Sequence, residues 1–329
     1  MKAVFFGTRE EEKECIKKWA EKYGYEVFTR TDFLTEENAD ETCGYDAVCI
    51  VVSCHITEKI AKKLSKAGVR YLLTRAAGTD HLDLAAIHKY NIKAANVPVY
   101  SPEAIAEHTI LLTLAALRHL KEQIMRNEKH NFSIEGLLGR EIGNMTVGIV
   151  GTGRIGCTTI RRLSGFGCKM LAYDKWERED MKGFVTYVTL EELLSSCDVL
   201  IFHCPLSEDN YHMINEDSLK KCRKGVVIVN CARGGLLDHE AVLKALKSGR
   251  VGALAMDVYE KEQLFLRKDK SGEGLKDELM KELLMRRDVI YTSHTAFYTD
   301  EAISNMIETS FQNLYEYANM GVCTNEVLE

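Results

Sequence analysis

Residues 146–174 read TVGIVGTGRIGCTTIRRLSGFGCKMLAYD, and this stretch decides how the rest of the chain is interpreted. Its apolar run from Val147 to Val150 predicts a strand that is buried on both faces. The glycine-rich turn GTGRIG (residues 151–156) follows, and after it come a helical pattern through Leu163 and a second apolar run that ends at Asp174. Strand, glycine-rich turn, helix, strand and acid in this order are typical of a dinucleotide-binding unit.

Each part of this stretch has a physical role in holding a nucleotide. Gly151 permits a tight turn, Gly153 lets a pyrophosphate approach the backbone, and Gly156 lets the helix pack close to the strand. The free N–H groups and the positive dipole end of that helix suit a phosphate. Asp174 can accept hydrogen bonds from a ribose diol. An ordinary glycine turn is the alternative, but it does not need the helix, second strand and acid that follow.

The bulk properties of the chain indicate a two-domain globular protein. Its 329 residues exceed what one hydrophobic core usually organises, and 46% hydrophobic with 28% charged residues is an ordinary composition. The net charge of −6 has interspersed signs, so we expect neither a nucleic acid nor a membrane surface as partner. The longest apolar stretch, near 109–117, is too short to span a bilayer.

The cysteines and the first residues indicate a cytoplasmic protein. The chain has eleven cysteines, an odd number, scattered and without a CxxC pair, which favours reduced thiols over disulfides. The apolar run in residues 1–12 is too short for a signal peptide. Neither a nucleophile elbow nor a P-loop lysine is present, and no residues have metal-ligand spacing, so we expect no metal.

The first hundred residues alternate strand and helix patterns, which predicts a parallel sheet covered by helices. The predicted strands are Ala3–Phe6, Val27–Phe28, Ala47–Val52, Tyr71–Thr74 and Lys93–Asn96, and the predicted helices are Glu10–Lys22, Glu58–Lys66 and Leu84–Tyr90. This part lacks a glycine fingerprint of its own. We therefore expect it to bind something other than the dinucleotide.

The segment 97–103 (VPVYSPE) holds two of the three prolines in the chain. Ser101 suits an N-cap, Pro102 the first helical position and Glu103 the positive first turn. A long helix is predicted from Pro102 to about Asn127. We interpret this segment as a hinge followed by a helix that links two domains; a capped core helix within a single domain fits the same residues.

Beyond the opening stretch the alternation continues. The further predicted strands are Val199–Phe202, Val226–Asn230, Leu254–Asp257 and Val289–Thr292, and the further helices are Leu190–Ser195, Glu216–Lys221 and Asp238–Lys247. With the two strands of the opening stretch this gives six, the number of a doubly wound sheet. The charged segment Glu260–Arg287 is predicted to be a helical excursion over the surface.

Polar residues follow four predicted strands, where ligands of open parallel sheets bind. They are His203-Cys204-Pro205, Asn230-Cys231-Ala232-Arg233-Gly234-Gly235, Asp257 and Ser293-His294. Arg233, flanked by glycines, can offer a planar fork to a carboxylate, although a surface arginine paired with an acid is the alternative. His294 is a candidate acid/base, although a structural histidine is the alternative.

Spacing does not identify the carboxylate that accompanies His294, and Asp257, Glu260 and Glu262 are all candidates. The remaining polar-context histidines are predicted to be solvated: His81, His88, His119, His130 and His239. Cys157 starts the helix after the glycine turn, where a helix dipole can lower the pKa of a thiol. Packing against the strand is the favoured interpretation of Cys157.

Six motifs taken together make the chain resemble the NAD-dependent D-2-hydroxyacid dehydrogenases over nearly its whole length, most closely their D-lactate dehydrogenase branch. They are residues 74–80 (TRAAGTD), 97–107 (VPVYSPEAIAE), 150–156 (VGTGRIG), 230–235 (NCARGG), 257–262 (DVYEKE) and 294–299 (HTAFYT). The resemblance implies an α/β fold of two Rossmann-like or flavodoxin-like domains with doubly wound parallel sheets. It further implies a discontinuous substrate domain, residues 1–100 and 297–329, with an NAD-binding domain, residues 101–296, inserted into it.

The resemblance also implies the roles of individual residues. The catalytic residues fall on Arg233, Glu262 and His294. The substrate contacts fall on Ala77, Gly78, Tyr100, Arg233, His294 and Tyr298. The NAD contacts fall on Gly151, Gly153, Arg154, Ile155, Gly156, Asp174, Cys204, Pro205, Asn210, Cys231, Ala232, Arg233 and Asp257. A homodimer joined through the cofactor domains is implied as well.

The activity that the resemblance implies is the reversible reduction of a 2-oxo acid by NADH, chiefly pyruvate to D-lactate. Similar branches act on 2-oxoisocaproate, on aromatic 2-oxo acids such as phenylpyruvate, or on 2-oxoglutarate, and a non-catalytic NAD(H)-sensing protein is a further alternative. Many relatives have proline where this chain has Ser293. Asp174 favours NAD over NADP because it repels a 2′-phosphate, with Lys175 and Arg178 close by in sequence.

Overall fold

The computed structural model describes residues 1–328, which form two compact units. The discontinuous unit comprises Met1–Ser101 and the chain from Tyr298 onward, and the central unit comprises Pro102–Phe297. Within residues 1–328, every helix is too short or too polar to cross a membrane.

The discontinuous unit alternates strands and helices and is completed by the last helix of the chain. Its first elements are β1 (Lys2–Phe5), α1 (Glu10–Tyr23), β2 (Glu26–Thr29), β3 (Ala47–Ile50), α2 (Glu58–Lys66), β4 (Tyr71–Thr74), α3 (Leu84–Lys89) and β5 (Lys93–Ala95). The strands are parallel, in the order β2-β1-β3-β4-β5. This is a doubly wound order, with the switch point between β1 and β3.

The central unit begins with two helices and continues with a seven-stranded sheet. Its elements are α4 (Pro102–Leu117), α5 (Leu120–Asn127), β6 (Thr146–Val150), α6 (Arg154–Leu163), β7 (Lys169–Tyr173), β8 (Thr186–Tyr187), α7 (Leu190–Ser196), β9 (Val199–Phe202), α8 (Glu216–Lys221), β10 (Val226–Asn230), α9 (His239–Lys247), β11 (Val251–Met256), α10 (Glu278–Met285) and β12 (Val289–Tyr291). The last helix, α11 (Asp300–Met320), belongs to the discontinuous unit.

All strand pairs of the central sheet are parallel, in the order β12-β11-β10-β9-β6-β7-β8. The order reverses between β6 and β9, so the switch point lies beside the glycine-rich turn. The prediction of two α/β units with doubly wound parallel sheets is confirmed. Seven short 3-10 helices complete residues 1–328: Ala39–Thr42, Ile142–Asn144, Ser164–Phe166, Glu179–Met181, Glu208–Asn210, Gly234–Leu236 and Glu262–Leu264.

The central sheet is apolar on both faces because successive side chains of a strand point to opposite sides. Leu200 and Phe202 of β9 pack into one layer of core residues, and Val199 and Ile201 pack into the other. All four are fully buried. Burial of such side chains contributes roughly 1.5–3 kcal/mol each, which makes the central strands a rigid frame for the loops at their ends.

Helix α11 completes the core of the discontinuous unit. The rings of Phe5 and Phe311 stack with their centroids 5.4 Å apart, and the Tyr317 hydroxyl donates to the Ala94 carbonyl at 2.9 Å. The helix begins where the Thr299 hydroxyl accepts from the Ala302 amide, and it ends at Gly321 in the left-handed region. The N-terminal and C-terminal parts of the chain therefore share one core.

Three predictions of secondary structure were wrong in detail. The helix from Pro102 does not run to Asn127, because His119 has a φ of +53° and separates α4 from α5. Strand β8 was missed, since two residues carry no measurable periodicity. The segment 260–287 consists mostly of turns and has two short helices. The second of these, α10, is not a surface helix exposed on all sides, because it buries Met280 and Leu283.

Two histidines that were predicted to be solvated are buried. His81 is 7% exposed and forms a 2.8 Å hydrogen bond with the Thr74 hydroxyl. His239 is 3% exposed, and its ring lies edge-on against Tyr259, with the centroids 4.7 Å apart. Their sequence surroundings are polar, but the chain folds other segments over them.

Candidate active site

The glycine-rich turn forms a cradle of backbone at the start of α6. Gly151 has a φ of +98°, and a Cβ there would lie 2.6 Å from the Cys204 amide nitrogen. A Cβ on Gly156 would lie 2.0 Å from the Gly151 carbonyl oxygen, so neither position accepts a side chain. No heavy atom lies within 4 Å of the equivalent point on Gly153, and no side chain caps α6. The cradle fits the pyrophosphate of a dinucleotide.

Asp174 follows β7 and is fixed by three hydrogen bonds. One carboxylate oxygen accepts from the Thr152 amide at 2.5 Å and from its hydroxyl at 3.1 Å, and the other accepts from the Trp176 amide at 3.0 Å. Lys175 is paired with Asp209 at 2.9 Å, and Arg178 with Asp180 at 2.9 Å. Both nearby cations therefore have acidic partners, and the acid at the tip of β7 suits an unphosphorylated ribose.

The polar residues at the four strand ends lie along one edge of the sheet, because β12, β11, β10 and β9 are consecutive neighbours. Cys204 and Cys231 are partly exposed on this edge, and burial raises the pKa of their thiols to about 11 and about 12. Both are protonated at neutral pH. Asn210 donates to the Pro205 carbonyl at 2.8 Å, which closes the loop after β9.

Arg233 lies in a turn that the buried Asn230 side chain holds. The Asn230 amide donates to the Arg233 carbonyl at 2.9 Å, and its oxygen accepts from the Ala232 amide at 3.0 Å. The guanidinium donates to the Ala232 carbonyl at 2.9 Å. A Cβ on Gly234 would lie 2.2 Å from the Glu260 amide nitrogen, so the turn packs directly on the chain that follows β11.

His294 and Glu262 form a hydrogen-bonded pair in the central unit. The His294 Nδ1 lies 2.7 Å from one oxygen of Glu262, and the other oxygen accepts from the Tyr259 amide at 3.0 Å. The side chains are 26% and 17% exposed. A carboxylate on Nδ1 fixes the ring and stabilises imidazolium, and it leaves Nε2 as the nitrogen that can exchange a proton with a ligand.

The other two candidate carboxylates have different partners. Glu260 accepts from the Tyr211 hydroxyl at 2.6 Å and pairs with His212 at 3.1 Å. Asp257 is 1% exposed, and its carbonyl accepts from the His294 amide at 2.8 Å. Asp257 therefore holds the backbone of the His294 loop, and Glu262 holds its side chain.

The predicted substrate contacts Ala77, Gly78, Tyr100 and Tyr298 lie in the discontinuous unit. The Asn96 amide donates to the Ala77 carbonyl at 2.7 Å, and the Asn305 amide donates to the Tyr100 carbonyl at 2.6 Å. The Arg9 guanidinium lies 4.8 Å from the centre of the Tyr298 ring. The residues after β4 and around Tyr100 are thus fixed by side-chain amides to backbone carbonyls.

Cys157 does not have the surroundings of a reactive thiol. It is buried, its Sγ donates to the Thr152 carbonyl at 3.0 Å, and burial raises the pKa of the thiol. It lies in the same core layer as Val147 and Ile149 of β6, so the favoured interpretation, packing against the strand, is confirmed. Within residues 1–328, no group of three or more His, Cys, Asp and Glu side chains could hold a metal ion.

His108 is a polar residue of this site that the sequence did not single out. It lies on α4, and its Nε2 is 2.9 Å from the Thr292 hydroxyl. The sequence shows only a histidine beside Glu107 near the start of a largely apolar helix, and an ordinary surface histidine gives the same pattern. The contact joins residues 184 positions apart, and no local pattern reveals it.

Comparisons with known proteins identify the family of the chain. Residues 110–296 match the family described as D-isomer specific 2-hydroxyacid dehydrogenase, NAD binding domain. An aromatic 2-oxoacid reductase of Clostridium sporogenes is 39% identical over 327 residues, 99% of each chain. The D-lactate dehydrogenase of Escherichia coli is 37% identical over 329 residues, 100% of each chain.

A crystal structure of a D-lactate dehydrogenase from Treponema pallidum has a TM-score of 0.90 to this chain, with 32% identity and 100% of both chains covered. NAD fits the glycine cradle and Asp174, and it is the cofactor of the matched family. The chain belongs to the NAD-dependent D-2-hydroxyacid dehydrogenases, in their D-lactate dehydrogenase branch.

Proposed function

We propose that this dehydrogenase reduces pyruvate to D-lactate and catalyses the reverse reaction. The observation that carries the proposal is the 2.7 Å pair of His294 and Glu262, on the same sheet edge as the Arg233 turn. A 2-oxo acid has a carboxylate and a ketone on neighbouring carbons. One guanidinium and one imidazolium are the groups that such a substrate requires.

The roles of the three residues follow from their chemistry. Arg233 binds the carboxylate and polarises the ketone as negative charge develops on its oxygen. His294, in its protonated form, gives that oxygen its proton. Glu262 orients the imidazolium and stabilises its charge through the Nδ1 hydrogen bond. The bound nicotinamide cofactor supplies the hydride.

We assign the cofactor to the cradle of the central unit. Its N–H groups at Arg154, Ile155 and Gly156 would hold the pyrophosphate, and Asp174 would hold the ribose hydroxyls. The further contacts assigned to the cofactor are Cys204, Pro205, Asn210, Cys231, Ala232, Arg233 and Asp257. The open approach at Gly153 supports this assignment, since a side chain there would meet the phosphates.

We assign the discontinuous unit as the substrate domain and the central unit as the NAD-binding domain. Ala77, Gly78 and Tyr100 would contact the substrate carboxylate, and Tyr298 would contact its side chain. The anchored backbone around Ala77 supports this, because fixed N–H groups bind a carboxylate without ordering cost.

Aromatic 2-oxo acids are the second candidate substrates, because the Clostridium sporogenes relative, at 39% identity, is named an aromatic 2-oxoacid reductase. 2-Oxoisocaproate and 2-oxoglutarate are further members of the test set. A pure NAD(H)-sensing protein fits less well, because sensing requires neither Arg233 nor the His294–Glu262 pair.

The test is to incubate the purified protein with NADH and each 2-oxo acid in turn, and to follow the loss of NADH absorbance. We expect the highest kcat/KM with pyruvate. A higher value with phenylpyruvate would replace pyruvate by the aromatic class. No consumption with any acid, together with intact NADH binding, would favour the sensor.

We also propose that the protein is a homodimer joined through the central unit. The chain after α5 exposes three large apolar side chains: Phe132 is 74% exposed, Ile134 86% and Leu138 92%. Such a group of exposed apolar residues is a candidate protein interface. Analytical ultracentrifugation should give about twice the chain mass of 37.2 kDa. A monomer would contradict the proposal.

A cytoplasmic location is the third proposal. The support is the cysteine content: eleven cysteines, all with free thiols in the described residues 1–328. Cell fractionation with an antibody to the protein would test it, and recovery in a secreted or membrane fraction would contradict it.

A further inference from the structure

We propose that His108 is a positioning residue for the reaction: through Thr292 and Asp257 it holds the backbone turn that presents the His294 imidazole. The proposal rests on the assignment of His294 as the proton donor. His108 reaches the His294 backbone through Thr292 and Asp257, so its effect on the imidazole is indirect.

The contacts form a continuous chain within the central unit. The His108 Nε2 lies 2.9 Å from the Thr292 hydroxyl, and that hydroxyl donates to one oxygen of Asp257 at 2.5 Å. The same Asp257 oxygen accepts from the Thr295 amide at 2.9 Å, and the second oxygen accepts from the Ala296 amide at 2.9 Å. One buried carboxylate therefore holds both sides of the turn around His294.

The hydrogen bonds have a defined direction. Thr292 has a single hydroxyl proton, and the Asp257 carboxylate takes it. The hydroxyl oxygen can then only accept from His108, so the Nε2 of His108 must carry a proton. Burial lowers the pKa of His108, against the opposing effect of Asp257, and this favours a neutral ring that donates from Nε2. The side chain of His108 is 17% exposed.

The turn needs such a hold because His294 has an unfavourable backbone. Its φ of +53° lies in the left-handed region, which a non-glycine residue adopts at a cost in free energy. Its amide donates both to the Asp257 carbonyl and to the Thr292 carbonyl, each at 2.8 Å. Thr292 thus fixes the turn through its carbonyl as well as through its hydroxyl. His108 anchors Thr292 to α4, a helix that packs on β10 and β11.

The first test compares His108→Leu, which removes the donor, with His108→Gln, whose amide nitrogen can replace Nε2. Glu107→Gln is the matched control, since Glu107 is the exposed neighbour on α4 and pairs with Arg162. We expect His108→Leu to lower kcat about tenfold, with the dissociation constant of NADH unchanged within about twofold. His108→Gln should recover most of the loss, and Glu107→Gln should match the parent.

The second test is independent of turnover. Hydrogen–deuterium exchange of the intact protein reports the Thr295 and Ala296 amides, which Asp257 holds. We expect about tenfold faster exchange of residues 293–296 in His108→Leu and in Thr292→Val, and parent-like exchange in His108→Gln. If no 2-oxo acid were turned over, the proposed function would fail, and the exchange rates would still show whether His108 holds the turn around His294.

A double-mutant cycle separates positioning from simple packing. If His108 acts through Thr292, the variant that combines His108→Leu with Thr292→Val should lose no more kcat than the worse single variant. If the kcat losses of the two single variants multiply in the double variant, the proposal is wrong. An active His108→Leu protein with parent kcat and parent exchange but a lower melting temperature would also contradict it, because that result describes packing alone.

Discussion

Each unit has a loop that follows a strand and is preceded by a threonine hydrogen-bonded to a histidine. The two loops differ in the sequence separation of that threonine and histidine. The Gly78 loop (residues 75–80) follows β4, where Thr74 forms a hydrogen bond with His81. The His294 loop (residues 293–296) follows β12, where Thr292 forms a hydrogen bond with His108. The first pair is 7 positions apart in sequence and the second is 184.

The two loops are also held by different groups. Two hydrogen bonds join the Gly78 loop to the segment after β5. The Val97 amide donates to the Ala76 carbonyl at 3.0 Å, and the side-chain amide of Asn96 donates to the Ala77 carbonyl at 2.7 Å. The His294 loop is arranged around the carboxylate of Asp257. The Gly78 loop also contains the buried Arg75, whose guanidinium donates to the Phe6 carbonyl at 3.0 Å and lies 3.6 Å from Glu12. In our proposal the Gly78 loop binds the substrate and the His294 loop transfers a proton. Changes in the two loops should therefore affect different kinetic constants.

The largest expected effect is on the His294 loop. His294→Ala removes the proposed proton donor, and we expect kcat for pyruvate to fall by about a thousandfold, as for a general acid. NADH binding, followed by its fluorescence, should stay within about twofold. His130→Asn is the control, because His130 is an exposed histidine of the same unit. Turnover that survives His294→Ala would refute the assignment.

The buried histidines His81 and His239 differ in their hydrogen bonding. Within residues 1–328, neither ring nitrogen of His239 has a hydrogen-bond partner, unlike His81, and burial lowers the pKa of His239 from 6.5 to about 4. Between these values the unfolded chain takes up a proton that the folded chain does not. Stability is therefore fully present above pH 6.5 and decreases as the pH falls towards 4, by about 2 kcal/mol at pH 5.

His239→Phe should abolish that component, because phenylalanine keeps the edge-on contact with Tyr259 without a titrating group. Urea unfolding of both proteins at pH 7 and pH 5 measures it. The parent should lose about 2 kcal/mol more than the variant on acidification. Equal losses in the two proteins would mean that His239 is protonated equally in the folded and unfolded states.

Asp174, at the end of β7, is a carboxylate to which we assign binding of the cofactor ribose instead of proton transfer. Asp174→Ala should narrow the preference for NADH over NADPH by about tenfold, or about 1.4 kcal/mol, because the repulsion of a 2′-phosphate is removed. The ratio of the two kcat/KM values is the measurement, with the exposed Glu177→Gln as control. A parent enzyme that prefers NADPH would contradict the expectation.

The smallest effect is expected in the Gly78 loop. Thr74→Val removes the hydroxyl partner of His81 while keeping the shape, at a cost of about 1 kcal/mol. We expect KM for pyruvate to rise about fivefold with kcat nearly unchanged. Thr113→Val on α4 is the control, since Thr113 is also buried and donates to a backbone carbonyl. A fall in kcat with KM unchanged would remove the distinction between the two loops.

The parts of the fold that could be predicted from sequence are those in which local pattern and architecture coincide. The stretch 146–174 combines an apolar run, glycines at fixed spacing and a terminal acid, and it forms β6, α6 and β7 as predicted. The break between α4 and α5 could not be predicted, because His119 adopts a left-handed conformation without a glycine or proline to mark it.

The candidate site divides in the same way. Residues at strand ends, such as Arg233 and His294, could be found because parallel strands bring their carboxyl ends to one edge. The sequence spacing could not show that Glu262, and not Glu260, is the partner of His294. That depends on the direction of each side chain in the folded protein: Glu262 faces His294, and Glu260 faces Tyr211 and His212. Local sequence patterns could not predict that His81 and His239 are buried or that His108 contacts Thr292. These features depend on how distant segments pack in the folded chain.

The shared core of Phe5, Phe311 and Tyr317 has a consequence for the order in which the protein is assembled. During synthesis, residues 102–297 are complete before α11 leaves the ribosome, so the central unit can fold while the five-stranded sheet still lacks its covering helix. Pairing of α1 with α11 closes a loop of nearly three hundred residues, which is a slow step for a chain. The discontinuous unit is therefore the last to mature, and until then its apolar surface around Phe5 is the part that a chaperone would have to shield.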